Sequence, residues 1–229
     1  MPKDRAWVCW SSGKDCAWAL HVVRQQGEVD VTGLLCVVTE PYRRASMHAV
    51  RQEVLAAQAD AASLPLHTAY IPPGCTDQVY EEAMGRAVRR ARTEGVTHMI
   101  FGDLFLADVR GYRETQLTGT GVAPLFPLCG RATDELAAEM ITSGLIAHIT
   151  CLDPRKVPRE LAGARFDEDL LARLGPDVDP CAEHGEFHTC VSAGPMFGRA
   201  IPVKIGRTVE REGFVFSDLT LGDAATGSQ

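Results

Sequence analysis

Short apolar runs alternate with segments of helical apolar spacing through the first hundred residues. The runs predict strands at residues 6–10, 31–38, 65–71 and 98–101. The segments between them predict helices, one directly after the first run, one at residues 47–62, and one from an N-cap at Thr76 to Glu94. Alternating strands and helices are typical of an α/β fold, a parallel sheet with helices on both faces. Ligands of such sheets bind at the carboxyl ends of the strands.

The pattern becomes mixed in the second half of the chain. Its predicted elements are a strand at 122–128, a helix at 133–143 with Thr133 and Glu135 at its start, a strand at 145–152, a short helix at 167–174, and strands at 186–192, 201–205 and 214–221. We therefore predict a first domain at residues 1–127 and a second, smaller α+β lobe at residues 128–222 that closes over it. Residues 223–229 are mostly small, which predicts a disordered tail.

Composition narrows the class of protein. The 229 residues are 45% hydrophobic and 23% charged, as expected of a chain that buries its own core. A formal charge of -7 argues against a nucleic-acid-binding surface. The apolar runs are too short for a membrane helix and no signal peptide is recognisable, so we expect a cytoplasmic protein. Eight cysteines without a Cys-x-x-Cys pair do not indicate a disulfide scaffold.

The polar loop between the first strand and the following helix is the first candidate site. It reads Ser-Ser-Gly-Lys-Asp at residues 11–15. Backbone N–H groups at a helix N-terminus suit an anion such as phosphate, and Lys14 adds charge. The spacing excludes a Walker A loop, since Val8 occupies the place of its first glycine, and no third glycine of a dinucleotide fingerprint follows Gly121. A solvated turn without a ligand is the alternative interpretation.

The segment after the fourth strand is polar where a core connection would be short. It begins with Gly102 and Asp103 and continues as a charged loop through residues 108–114, which include Arg113 and Glu114. Because it follows a strand of the same predicted sheet, we expect it to lie beside the first loop.

The densest polar cluster is at residues 179–189, with two carboxylates, Glu183 and Glu186, three residues apart. Zinc binding is one interpretation of this cluster, although the spacing of its ligands matches no common zinc motif. A hydrogen-bonded turn with structural histidines is another. The candidate zinc ligands are Cys181, His184, His188 and Cys190.

These three motifs, in this order, resemble the diphthine-ammonia ligase family of PP-loop ATP pyrophosphatases, which cleave ATP between its α and β phosphates. Residues 126–128 and 194–197 are also similar to that family. The Gly-Glu-Phe-His-Thr ending at residues 185–189 resembles a bacterial branch for which corrinoid salvage has been suggested. Ser12 replaces the first glycine of the PP-loop signature, and Cys16 replaces its final hydroxyl residue.

The resemblance implies a Rossmann-like (HUP-type) nucleotide-binding domain and an ATP-dependent C–N ligase. A substrate carboxylate would attack the α-phosphorus of ATP and release pyrophosphate, and ammonia or an amine would then displace AMP. The residues implied in nucleotide binding are Ser11, Ser12, Gly13, Lys14, Asp15, Cys16, Met47, His48, Gly102 and Asp103.

The resemblance also implies roles in catalysis. The residues concerned are Lys14, Asp15, Arg113, Glu114, Glu183 and Glu186. Asp15 and Asp103 would bind Mg²⁺. Arg113 would steady the transferred phosphoryl group, with Glu114 orienting it. Glu183 and Glu186 would position or deprotonate the amine.

Two other functions stay open on sequence grounds. A non-catalytic ATP- or AMP-binding regulatory protein is favoured slightly by Ser12 and Cys16, while a tRNA thiolase or similar PP-loop enzyme is disfavoured by the acidic charge. The expected partners are ATP, an unknown carboxylate-bearing small molecule or protein, and ammonia or an amine. No membrane or nucleic-acid partner is expected. Whether the chain forms a homodimer is open.

Overall fold

A computed structural model describes residues 2–105 and 107–222 of the chain. The tail predicted to be disordered, residues 223–229, lies outside the described residues. The N-terminal half contains a mixed sheet in which most strands are parallel. Its strands are β1 (Asp4–Cys9), β2 (Val29–Thr39), β3 (Arg44–Ala45), β4 (Leu66–Ile71), β5 (Val96–Ile100) and β6 (Ala123–Leu125).

The strand order of this sheet is β3-β2-β1-β5-β6, and β4 also pairs with β2. The pairs β1–β2, β1–β5, β2–β4 and β5–β6 are parallel, whereas the short β3 is antiparallel to β2. The carboxyl ends of β1, β2 and β5 therefore meet at one edge of the sheet, which is where such sheets bind ligands.

The helices that flank this sheet are α1 (Lys14–Gln26), α2 (Gln52–Ala62), α3 (Asp77–Thr93) and α4 (Ala107–Leu117). The predicted cap of α3 is correct, since the Thr76 hydroxyl accepts a hydrogen bond from the Val79 N–H at 3.4 Å. Within the described part of the chain, no helix is both long and apolar enough to cross a membrane.

The C-terminal half forms a second, separate sheet. Its elements are α5 (Thr133–Thr142), β7 (Ile146–Leu152), a 3₁₀ turn (Arg159–Leu161), α6 (Glu168–Arg173), β8 (Phe187–Ala193), β9 (Val203–Arg211) and β10 (Phe214–Leu221). The strands are all antiparallel in the order β8-β7-β10-β9. The predicted fold class, α/β with a smaller α+β C-terminal part, is confirmed.

Several predicted boundaries were wrong. The helix predicted at 47–62 begins at Gln52, because β3 and a loop with positive φ at Met47 and Ala49 precede it. The charged segment predicted as a loop at 108–114 lies inside α4. Thr133 is not the cap of α5, since its hydroxyl donates instead to Asp179 Oδ2 at 2.6 Å.

One buried apolar core continues between the two sheets. It joins Val8 of β1 and Leu20 of α1 to Phe187 of β8 and Leu219 of β10. In addition, the Val191 N–H of β8 donates to the Ser12 carbonyl at 2.9 Å, so the second sheet supports the first candidate loop directly. The domain boundary at residue 127 stays a prediction.

Candidate functional site

A cavity of about 380 Å³ opens at the carboxyl ends of β1, β2 and β5. All three motifs singled out from the sequence contribute to its wall. Among the lining residues are Ser11, Lys14, Asp15, Cys16, Met47, His48, Gly102, Asp103, Arg113, Glu183, His188 and Thr189. The fold therefore brings together segments that lie more than 170 positions apart in the sequence.

The backbone of the first loop is fixed from outside. Ser12 is buried and has a φ of 77°, the left-handed region that favours glycine. Its carbonyl accepts hydrogen bonds from Gln58 Nε2 at 3.1 Å and from the Val191 N–H at 2.9 Å. Contacts from α2 and β8 thus hold a serine in the conformation that a glycine would adopt easily.

Cys16 cross-links the loop from within. The Ser11 N–H donates to its sulfur at 3.4 Å, and its thiol donates to the Gly13 carbonyl at 3.1 Å. Burial raises the pKa of Cys16 to about 11, so the thiol stays neutral and able to donate. Cys16 therefore makes the local hydrogen bonds that a hydroxyl side chain at this position could make.

Two glycines allow close approaches at the start of α1. A Cβ on Gly102 would lie 2.7 Å from the Asp15 carbonyl carbon and from the Cys16 nitrogen. A Cβ on Gly13 would lie 2.9 Å from His48 Cε1. The segment after β5 is therefore pressed against the first turn of α1, as we expected from the parallel sheet.

Lys14 lies deeper than the sequence suggested. Its side chain is 2% exposed, and Nζ donates to both Asp15 carboxylate oxygens, at 2.8 and 2.9 Å, and to the Cys181 carbonyl. The rings of Phe166 and Phe187 lie 5.6 and 5.8 Å from Nζ. Burial opposes the charge, but Asp15, Cys181 and Glu183 together outweigh it and the pKa of Lys14 is raised. Lys14 is thus a charged link between the two halves of the chain.

Arg113 is the cation that stands further into the cavity. Its side chain is 25% exposed, and the Nε atom lies 3.6 Å from Asp103 Oδ2. The guanidinium also lies over the Phe101 ring at 5.1 Å. Glu114 does not orient it, contrary to the prediction. Glu114 is half exposed and pairs with Arg110 at 2.8 Å, outside the cavity.

Glu183 faces the cavity, whereas Glu186 does not. Glu183 Oε2 accepts the Leu104 N–H at 3.3 Å, and burial, followed by the charge of Asp15, raises its pKa to about 7. Glu186 is 2% exposed, does not line the cavity, and accepts the Asp179 N–H at 3.3 Å. The structure therefore places one of the two predicted amine-binding carboxylates at the site and the other beneath it.

Two histidines form the wall beside the loop. The rings of His48 and His188 lie 4.6 Å apart, and His48 Nδ1 is 3.2 Å from the Thr189 carbonyl. Burial lowers the pKa of His48 to about 4 and that of His188 to about 3, so both imidazoles are neutral. Thr189 Oγ1 also accepts the Lys14 N–H at 3.1 Å. Met47 lies at the rim and is 67% exposed.

The zinc interpretation finds no support in the structure. In the ranges 2–105 and 107–222, no three histidine, cysteine or acidic side chains are arranged to hold a metal ion. The Cys181 thiol donates instead to the Thr133 carbonyl, and Gln58 Nε2 lies 3.6 Å from the Cys190 sulfur.

Sequence reasoning missed several residues of the cavity wall. Tyr80 and Met84 of α3 and Val109 of α4 line it, although they read as ordinary helix positions. Thr189 was noted as part of a motif, but its hydrogen bond to α1 depends on the packing of β8 and has no sequence signal.

The family model of the diphthamide synthase N-terminal domain matches residues 4–118. This range spans β1 to α4 and includes both loops at the strand ends. The chain belongs to this family. It is the diphthine-ammonia ligase family of PP-loop ATP pyrophosphatases, enzymes that use ATP. A comparison with curated proteins gave no match.

The diphthamide synthase match ends before the second sheet begins. Residues 179–189, which supply Glu183, His188 and Thr189 to the cavity, lie outside it. The predicted assignment to a bacterial branch rests on that segment and stays a prediction. The family match therefore covers the half of the cavity that residues 4–118 form.

Proposed function

We propose that the protein is an ATP-dependent amide ligase, which adenylates a substrate carboxylate and transfers ammonia or an amine to it. The observation that carries the proposal is that the PP-loop and the segment at 179–189 meet in one cavity. The first segment supplies groups for phosphate, and the second supplies a carboxylate beside it. Both are needed for a reaction that joins an activated acid to an amine.

The PP-loop is suited to the phosphates of ATP. The N-terminus of α1 directs partial positive charge into the cavity, and Arg113 adds a full charge. Ser11 and Cys16 line the same wall. We place the leaving pyrophosphate against residues 11–16 and the transferred phosphoryl group towards Arg113. Met47 and His48 lie where they could border the adenine.

The carboxylates of Asp15 and Asp103 are suitable ligands for the magnesium ion that accompanies a bound nucleotide. Asp15 and Asp103 line the cavity, and burial raises the pKa of Asp103, opposed by Arg113 and aided by the charge of Asp15. One or two protein carboxylates, with phosphate oxygens and waters, are typical of magnesium sites in enzymes that use ATP. Bound there, the ion would neutralise charge that develops on the phosphates.

The chain's own groups can account for the second half of the reaction. With a pKa of about 7, Glu183 can accept a proton near neutral pH and so deprotonate an incoming ammonium or amine. The neutral His48 and His188 rings line the same cavity. Glu186 would act on Glu183 indirectly, by accepting the Asp179 N–H and fixing the turn that carries it.

A regulatory ATP- or AMP-binding protein is the second candidate. Lys14 Nζ is held by Asp15 and the Cys181 carbonyl, and its N–H by Thr189. These contacts occupy donors that would otherwise stabilise charge on the phosphates during cleavage. This favours a protein that binds the nucleotide without cleaving it.

Product analysis separates the two candidates. We expect Mg²⁺, ATP, ammonia and a suitable carboxylic acid to yield AMP and pyrophosphate in equal amounts. Asp103→Asn should lower this rate by about 100-fold or more because it removes a charged ligand of the magnesium ion that would stabilise the transition state. Glu114→Gln, which changes a carboxylate 11 residues away and outside the cavity, is the matched control and should leave the rate unchanged. Binding of ATP without AMP formation from any acid would instead favour the regulatory protein.

A further inference from the structure

A second, smaller cavity of about 40 Å³ lies between α3 and α4, beside the main one. The two cavities share wall residues at the ends of β1 and β5 and on both helices. The shared residues are Cys9, Tyr80, Met84, Phe101 and Arg113. The small cavity therefore adjoins the main one, and we call it the side pocket.

The side pocket is apolar. Its wall is formed mainly by Met84, Val88, Met99, Phe101 and Leu117. Among the described residues that line it, Arg113 is the one charged side chain. Gln116, whose amide donates to Glu81 at 3.0 Å, bridges α4 to α3 at this place. Such a pocket suits a hydrocarbon group and disfavours a second charge.

Arg113 is held firmly at the junction of the two cavities. Its guanidinium lies 5.1 Å from the Phe101 ring and 5.8 Å from the Tyr112 ring. Burial opposes its charge, while Tyr80 and Asp103 favour it, and the pKa of Arg113 is raised. A permanent cation with a planar set of donors therefore lines both the main cavity and the apolar side pocket.

We propose that the side pocket binds the hydrocarbon part of the substrate, a short aliphatic monocarboxylic acid whose carboxylate lies at Arg113. This inference rests on the proposed function, because it names the acid that is activated there. A site for one water takes about 10–15 Å³, so a 40 Å³ pocket holds about three or four carbon atoms. The acid is therefore of about butanoate size, straight or branched.

This placement is consistent with the chemistry of activation. One carboxylate oxygen forms a bond to the α-phosphorus, while the bond from that phosphorus to the bridging oxygen breaks and its electron pair leaves with pyrophosphate. The acid's carbon chain must then point away from the nucleotide. The side pocket offers space for that chain, because Arg113 lines both the pocket and the main cavity, whereas no residue of the PP-loop lines the pocket.

The test measures binding of acetate, propanoate, butanoate, pentanoate and hexanoate to the full chain by ligand-observed NMR. We expect affinity to rise by about fourfold per methylene up to butanoate or pentanoate, and then to fall. Butanamide, which lacks the charge, should bind at least tenfold more weakly than butanoate. Equal affinity along the series, or equal binding of the amide, would overturn the proposal.

Two variants locate the binding. Gly85 lines the side pocket, and a Cβ there has Arg89 Nη1 at 3.4 Å as its near neighbour, so a larger side chain has room to enter. Gly85→Leu should remove the dependence on chain length, whereas Gly111→Leu, on the exposed side of α4, should preserve it. Met84→Ala should move the optimum to a longer acid. An unchanged profile in both Gly85→Leu and Met84→Ala would place the acids elsewhere.

The outcomes also separate this inference from the proposed function. If the acids bind with the expected profile but no AMP forms, the ligase proposal fails and the acid site stands. If AMP forms with acids whose affinity is unchanged in Gly85→Leu and Met84→Ala, the ligase proposal stands and the side pocket is not the acid site.

Discussion

At the scale of single residues, two departures from the PP-loop signature proved compatible with its shape. Ser12 keeps a glycine-like φ of 77° because Gln58 and Val191 hold its carbonyl. Cys16 makes the loop's internal hydrogen bonds with a neutral thiol. The sequence showed which positions were unusual, but it could not show these compensating contacts, since the partners lie on α2 and β8.

Gly102 gives a direct test of the loop's packing. Gly102→Ala would put a methyl group 2.7 Å from backbone atoms of Asp15 and Cys16. Backbone atoms cannot move aside as the end of a flexible side chain can. We expect a loss of about 2–4 kcal/mol in the free energy of unfolding, measured by urea denaturation, because overpacking forces the backbone to shift. ATP binding should weaken as well.

The matched control is Gly111→Ala in α4, where no atom lies within 4 Å of the added Cβ. Alanine is the better helix former there, so a gain of about 0.5–1 kcal/mol is expected. A similar loss in both variants would show that the close approach at Gly102 has no special importance.

At the scale of elements, the sequence predicted most strands and helices of the first half correctly. It failed where an element's bounds depend on tertiary contacts or where its apolar periodicity is weak. The charged α4 escaped prediction because Leu117 is its one buried residue among those described, so it lacks an apolar stripe. The start of α2 was placed too early because Met47 and Val50 have helical spacing, yet contacts with the second sheet hold this stretch as a loop.

That loop, residues 46–50, is clamped by one carboxylate. Asp218 of β10 accepts from Arg44 at 2.9 Å on one side of the loop and from Arg51 at 2.7 Å on the other. We expect Asp218→Asn to cost about 1–2 kcal/mol of stability and to weaken ATP binding, since His48 is carried by the loop. Calorimetric titration with ATP would measure this effect.

Asp169→Asn is the control for the clamp, because Asp169 also pairs with an arginine, Arg173, but is 81% exposed and far along the chain from the loop. It should change stability by less than about 0.5 kcal/mol. ATP affinity that stays the same in Asp218→Asn would mean that the 46–50 loop does not contact the nucleotide.

At the scale of the whole molecule, two partly buried neutral histidines between the two halves make the fold sensitive to acid. The pKa values of His48 and His188 are lowered by burial to about 4 and 3, whereas unfolded histidine has a pKa of about 6.5. Below pH 6.5 these two histidines bind protons in the unfolded chain but not in the folded one. Stability is therefore full above pH 6.5 and falls as the pH drops towards 4.

We expect His188→Gln to reduce this loss between pH 6.5 and 5 by about 1.5 kcal/mol, because one partly buried imidazole no longer has to stay neutral. Urea denaturation of the wild type and the variant at the two pH values measures the difference. The exposed His184→Gln serves as the control. An equal loss in the wild type and His188→Gln would contradict the assignment of His188 as a neutral group in the folded protein.

The overall architecture was predictable because the strand and helix pattern of an α/β fold is strong and its ligands gather at one edge. What the sequence could not show was how closely the second sheet joins the first. Lys14 illustrates the difference. From the sequence, a lysine in this loop is predicted to bind phosphate. In the structure its Nζ donates hydrogen bonds to Asp15 and to the Cys181 carbonyl, which links the two halves.

The hydrogen bond between Ser12 and Val191 has a consequence for how the protein is made. A ribosome adds about 5–20 residues per second, so the support for the loop is synthesised on the order of ten seconds or more after the loop itself. During that time the growing chain carries a PP-loop whose Ser12 carbonyl can bond to Gln58 but not yet to Val191. We therefore expect the nascent chain to reach its full affinity for ATP only after β8 has left the ribosome.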